Sequence, residues 1–234
     1  MPEIFFTLWC PLLMVHNNVS LRKGGLDYIY IIMKIIITEG QYKRLFETEQ
    51  EQKVFEIPSI KNFGASNEDA WENLQKYLQS KGNPPFSVKG NVKVDFGIDT
   101  LGKLVSVKGN LSLRENIISD LGELKSVGGY LDLVDTYVNS GSLGNLEYVG
   151  GDCDLFQCRV NSMGKLKHVG GTLSVAYSNI TSLGELKYVG GNLDIFGSRL
   201  LKKYSEEEIR SMVEIKGDIV TIDPYDNNVI GYWG

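Results

Sequence analysis

From Leu101 onward, apolar residues return on a fixed schedule. The phrase LGKLVSVKGNLSL at Leu101 recurs as LGELKSVGGYLDL at Leu121, LGNLEYVGGDCDL at Leu143, MGKLKHVGGTLSV at Met163 and LGELKYVGGNLDI at Leu183, in steps of 20, 22, 20 and 20 residues. Counted from the first residue of each copy, positions 1, 4, 7, 11, 13 and 18 are apolar almost throughout. Position 4 is Leu104, Leu124, Leu146, Leu166 and Leu186, and position 7 is Val107, Val127, Val149, Val169 and Val189. One copy cannot bury such a set by itself, whereas stacked copies share a continuous core, so this period predicts a solenoid. The alternation at positions 11 and 13 predicts a strand over positions 10 to 14. Strands from successive coils would run parallel, about 4.8 Å apart.

Two polar positions carry further expectations. Positions 8 and 9 read Lys-Gly once and Gly-Gly four times, which predicts a turn with positive φ just before the strand. Position 16 is small and mostly polar: Asn116, Thr136, Cys158, Ser178 and Ser198. Such residues suit a buried turn whose side chain satisfies backbone groups of the next coil.

The flanks break the period. Ser66 to Gly82 predicts a helix, capped by Ser66 or Asn67, with Ala70, Trp71, Leu74 and Leu78 on one stripe and Gly82 and Pro84-Pro85 ending it. SVKGNVKVDFG (Ser87–Gly97) repeats the coil phrase one residue short. After the last copy, Ser205 and Glu208 form an S-x-x-E capping box before Ile209, Met212 and Val213. IKGDIVTID (Ile215–Asp223) reads as a degenerate final strand. The expected fold is therefore mainly β with α caps: a parallel β-solenoid of about six coils, near 30 Å long on strand spacing. The divisions are 1–32 as an N-terminal extension, 33–85 as a helical cap region, 86–202 as the solenoid and 203–234 as a C-terminal cap, strand and tail. The Trp71 helix is expected to cover one end of the stack, since solenoid ends expose apolar core. Tyr232 and Trp233 are expected to tuck back onto the C-terminal cap.

The LxxVGGxLxL phrase resembles the leucine-rich-repeat superfamily in a short, 20-residue variant, and is also similar to the repeats of receptor-L-type domains. The likeness covers residues 86 to 222. It departs from the common consensus in lacking a regular Asn after the strand, which only Asn116 keeps. The resemblance implies a right-handed coil. MKIIITEGQYKRLFETEQ (Met33–Gln50) reads as a strand and a helix capped by Thr38 and Gln41, and it resembles the start of small phage-encoded proteins.

Charge and composition narrow the function. A net charge of -5 carries no general footprint for nucleic acid. Three cysteines without framework spacing point to reduced thiols and a cytoplasmic setting. No stretch reaches the roughly 20 apolar residues that span a membrane. The apolar run Ile4–Val15 follows Glu3, where a signal peptide carries basic residues, and no small-x-small cleavage site succeeds it. Residues 1–32 therefore read as upstream translation, with Met33 as the natural start, in preference to a targeting segment or a tail.

No catalytic constellation emerges. The only histidines are His16 and His168, and His168 stands at position 6 in line with Ser106, Ser126, Tyr148 and Tyr188, as part of a surface ladder. A catalytic histidine would need a nucleophile and an orienting carboxylate at coil spacing. Cys153 and Cys158 replace a core Leu and a small turn residue, as buried thiols do, and zinc would require further ligands. The recurring Gly-Gly pairs precede strands, unlike a phosphate loop. No enzyme, cofactor or metal is expected.

The informative surface is the outward side of the predicted strand. Position 12 runs Lys93, Ser112, Asp132, Asp154, Ser174 and Asp194, while positions 10 and 14 add Tyr130, Asp152, Phe156 and Phe196. Side chains alternate across a strand, so these residues are expected to point to solvent. Aromatics among charges suit recognition. The expected site is Tyr130, Asp132, Asp154, Phe156, Asp194 and Phe196, on a monomer that binds a basic or mixed-charge protein. A merely solvated polar face, a structural component such as one in a virion, and calcium held by Asp132, Asp152 and Asp154 are the competing readings. The register itself is testable: Leu146→Asp buries an uncompensated charge, and its cooperative thermal transition should be lost. An unchanged melt would refute the assigned positions.

Overall fold

The computed structural model describes residues 53–95 and 97–222. The segment 1–32, the expected strand and helix of 33–50, and the tail with Tyr232 and Trp233 lie outside the described residues.

Repeats that each bury one stripe stack into a mainly parallel β-solenoid of about five turns, fewer than the six expected. One row of strands runs in the order Phe55–Ile57, Phe86–Val88, Leu104–Val107, Ser126–Val127, Tyr148–Val149, His168–Val169, Tyr188–Val189 and Glu214–Ile215. A second row runs Val92–Lys93, Leu111–Ser112, Leu131–Asp132, Cys153–Asp154, Leu173–Ser174, Leu193–Asp194 and Ile219–Val220. A short third row pairs Ile117–Ile118 with Tyr137–Val138. The second row is the expected strand. Its ladder spans positions 11 to 15, as in Leu111 N–H to Tyr130 O, Leu113 N–H to Asp132 O and Glu115 N–H to Val134 O, each 2.9 Å. The first row, at positions 6 and 7, leaves no alternation to detect, because most of its strands are only two residues long.

Every residue at positions 1, 4, 7, 11, 13 and 18 of the five repeats is buried, with Leu104, Leu124, Leu146 and Leu166 fully so. The 22-residue step is absorbed between Val138 and Ser142. Tyr137 still pairs with Arg159, but Ser142 returns to a 20-residue step against Ser162, with Gly141 at φ 68° taking up the slack.

The Gly-Gly pairs do not have positive φ, against expectation. Glycine is required there because successive coils touch. A Cβ at Gly150 would overlap the Gly128 carbonyl oxygen, and one at Gly170 the Gly150 carbonyl oxygen. The positive φ falls instead at position 2, in Gly102, Gly122, Gly144, Gly164 and Gly184, and at position 15, in Glu115, Asp135, Gln157, Tyr177 and Gly197. The residue before each repeat secures the first of these turns. Side-chain oxygens of Thr100, Asp120, Ser142, Ser162 and Ser182 accept the N–H of the glycine two residues on, at 2.7 to 3.1 Å. This is the local hydrogen bond that short polar residues offer a turn.

Position 16 is buried as expected, but its side chains serve the preceding coil or their own, not the next. Asn116 donates to Val94 O at 2.9 Å, Thr136 to Leu113 O at 2.7 Å and Ser178 to Val175 O at 2.6 Å.

Helix α1, Asn67–Ser80, starts where Ser66 Oγ accepts the Asp69 N–H, and it buries Ala70, Trp71, Leu74 and Leu78. The Trp71 ring lies 6.3 Å from Phe86 in the core. Helix α2, Glu206–Met212, has the expected Ser205–Glu208 capping box. Ile209 and Val213 join the core while Met212 is exposed, so the buried stripe is narrower than read from sequence.

Both glycine classes should lose stability on substitution, each for its own physical reason. Gly150→Ala forces coils apart and should cost about 1–3 kcal/mol in urea unfolding. Gly144→Ala, with open space around it but φ at 62°, should cost about 1–2 kcal/mol through backbone conformation alone.

Candidate binding face

The second strand row presents position 12 outward, but not all of it reaches solvent. Asp132 is only 5% exposed. Its Oδ2 receives Arg114 Nε at 3.1 Å and the Ser112 hydroxyl at 3.2 Å, while Oδ1 accepts the Val134 N–H at 3.2 Å. It is a structural acceptor, buried where strand alternation predicts a solvent-facing side chain. Arg114 at position 14 covers it, and a bulky cation beside a carboxylate one strand away predicts that cover.

Asp154 and Asp194 are half-buried. Each uses Oδ1 to accept the N–H two residues on, from Phe156 at 3.0 Å and Phe196 at 3.1 Å. The same bond that Asp132 makes thus recurs in each repeat with aspartate at position 12, while position 15 is left-handed in the serine repeats as well. Burial, aided by the negative charges of Asp132 and Asp194, lifts the Asp154 carboxyl above its ordinary value.

Position 14 divides in two. Val134 and Ala176 are buried, whereas Phe156 and Phe196 are half-exposed. Those two rings are two coils apart, and Tyr177 joins them. It packs edge-on to Phe156 with centroids 5.5 Å apart and to Phe196 at 5.1 Å. Tyr177 was not among the residues expected in the site. It stands at position 15, where φ of 55° carries it out of the strand alternation, and Gly197 in the next coil leaves room for its ring. Tyr130 is exposed, on the same row but outside this cluster. The expected site therefore resolves into one aromatic cluster, two flanking aspartates, one outlying tyrosine and one structural aspartate.

His168 is sandwiched between Tyr148 at 4.9 Å and Tyr188 at 4.6 Å, with rings parallel to within 10°. This is the surface ladder read from the repeat, now with the rings in contact. Lys167 beside it pairs with Glu147 at 2.9 Å. Cys153 and Cys158 are unpaired and buried. Burial raises both thiols, Cys158 to about 12, which removes them from nucleophilic use near neutral pH. Among the described residues no three His, Cys, Asp or Glu side chains are grouped to hold a metal ion. No helix among them is long and apolar enough to cross a membrane.

No family model, curated protein or solved structure matches this chain.

Asp132→Ala should cost about 1–3 kcal/mol in chemical denaturation, because the Val134 N–H then lies buried without an acceptor. Asp154→Asn should do the opposite. A carboxyl with a raised folded pKa binds its proton more tightly in the folded state, so stability falls as pH rises from the ordinary value of 3.8 through the raised one. The amide keeps an oxygen for the Phe156 N–H and carries no charge. Its melting temperature should exceed that of the parent at pH 7, and the two should converge below pH 3.8.

Proposed function

We propose that this protein is a non-enzymatic interaction module that binds a protein partner through the second strand row. The observation that carries the reading is the half-exposed chain of rings Phe156, Tyr177 and Phe196, flanked by Asp154 and Asp194. Aromatic side chains dominate the energetics of protein interfaces. These rings are already held by one another and by coil stacking, so little conformational freedom remains to be lost on binding. The adjoining carboxylates favour a basic or mixed-charge partner through faster and more selective encounter. Tyr130 extends the surface along the row.

In the same reading the coil is right-handed and of the leucine-rich-repeat type, and α1 and α2 act as caps. Support for the caps comes from Trp71, Leu74 and Leu78 at one end of the core and Ile209 and Val213 at the other, where a stack would otherwise expose apolar side chains. The protein works as a monomer in the cytoplasm, a setting that suits two buried, unpaired thiols.

Affinity capture from the native cell, with Phe156→Ala/Phe196→Ala as the comparison, tests the function. A partner held by the parent should be lost by a variant whose circular dichroism and cooperative melt are preserved. Retention of that partner would move the binding site off this face.

A further inference from the structure

A second surface lies past the left-handed residue, where the chain turns from the second strand row into the third. Glu115, Ile117, Asp135, Tyr137 and Arg159 line an open cleft of about 450 Å³ there. Its construction follows from the repeat. Glu115 and Asp135 both occupy position 15, and Ile117, Tyr137 and Arg159 all occupy position 17, with Ile117 paired to Tyr137 and Tyr137 to Arg159. Position 17 is the outward neighbour of core position 18, so an apolar residue there has no core to enter. Ile117 is accordingly 71% exposed and Tyr137 40% exposed. Among the described residues, neither the Glu115 nor the Asp135 carboxylate is in a side-chain hydrogen bond or ion pair, although the neighbouring Arg114 acts on Glu115 electrostatically.

We propose that this cleft binds an arginine side chain presented by a protein partner. The inference rests on the interaction-module reading and names the chemistry of that partner. Two observations point to a guanidinium. The chain already places one in the cleft, since the Arg159 guanidinium lies over the Tyr137 ring at 5.5 Å. The remaining lining is Ile117 with Glu115 and Asp135, two carboxylates against the single guanidinium of Arg159, with Arg114 acting on Glu115 from next to it in the chain. An arginine has a matching profile: an apolar stem to cover Ile117 and a planar, permanently charged fork for two carboxylates. A neutral apolar ligand would leave both carboxylates facing it, and an anion would be repelled by them.

The test uses the full chain and a partner-free probe, N-acetyl-arginine-amide, followed by NMR titration. Saturable shifts should appear at the Ile117 methyls and the Tyr137 ring. N-acetyl-citrulline-amide, of the same shape without the charge, should produce none. Glu115→Gln/Asp135→Asn should weaken arginine binding about fivefold or more, and Arg159→Gln, which removes the competing cation, should strengthen it. Gln157 already occupies the same left-handed position at φ 56°, and Asn tolerates that conformation, so the double variant keeps the turn. Asp154→Asn, on the aromatic face, should leave the titration unchanged. Equal response to citrulline, undiminished binding by the double variant, or shifts confined to other residues would each overturn the proposal. These outcomes are independent of whether capture depends on Phe156 and Phe196, so failure of the cleft and failure of the module are distinguishable.

Discussion

The spacing between coils constrains everything else. Parallel ladders hold successive repeats at strand separation, and at that distance a side chain at either glycine of a Gly-Gly pair would collide with the backbone of the preceding coil. Glycine at the contact, a local acceptor before the position-2 turn and a left-handed residue at position 15 are all consequences of closing a roughly 20-residue loop within one strand spacing. The apolar set then follows, since side chains directed inward from every coil join one continuous cluster. The free energy of the fold is thus distributed along the axis, and no single turn holds its core by itself.

The same constraint explains what was legible in the sequence. Strict recurrence identifies the inward positions, and all six apolar positions are buried in each of the five repeats. Recurrence alone does not say why a residue recurs. The glycines at positions 8 and 9 and those at position 2 look alike in sequence, yet the first are set by contact and the second by φ. Position 16 shows the same gap: smallness indicated burial, but whether Thr136 turns to the coil before or after it depends on geometry that one repeat does not contain. The two-residue strands of the first row left no alternation for a period-two search to find.

For the binding face the limit is different. Alternation assigns position 12 outward, which is true of the backbone direction. It does not register that an aspartate ending a short strand accepts its own backbone N–H two residues later. Asp132, Asp154 and Asp194 all do so, and the degree to which each remains available depends on its neighbour at position 14. Arg114 seals Asp132. An acidic pattern in a repeat of this kind overstates the charge available to a partner, because part of it is committed to ending strands.

The left-handed residue at position 15 links fold to recognition. Its conformation is a requirement of the coil, and glycine would satisfy it, as Gly197 does. In the first four repeats the position instead holds Glu115, Asp135, Gln157 and Tyr177, each exposed. A side chain in this conformation departs from the strand alternation, and so it forms a ridge between the second and third strand rows. At one end of that ridge Tyr177 joins two phenylalanines into a continuous aromatic surface. At the other, Glu115 and Asp135 wall the cleft over Ile117 and Tyr137. The ridge is therefore the one feature shared by both candidate surfaces. Its residues can vary widely in chemistry because the core beneath them depends only on the backbone they sit on.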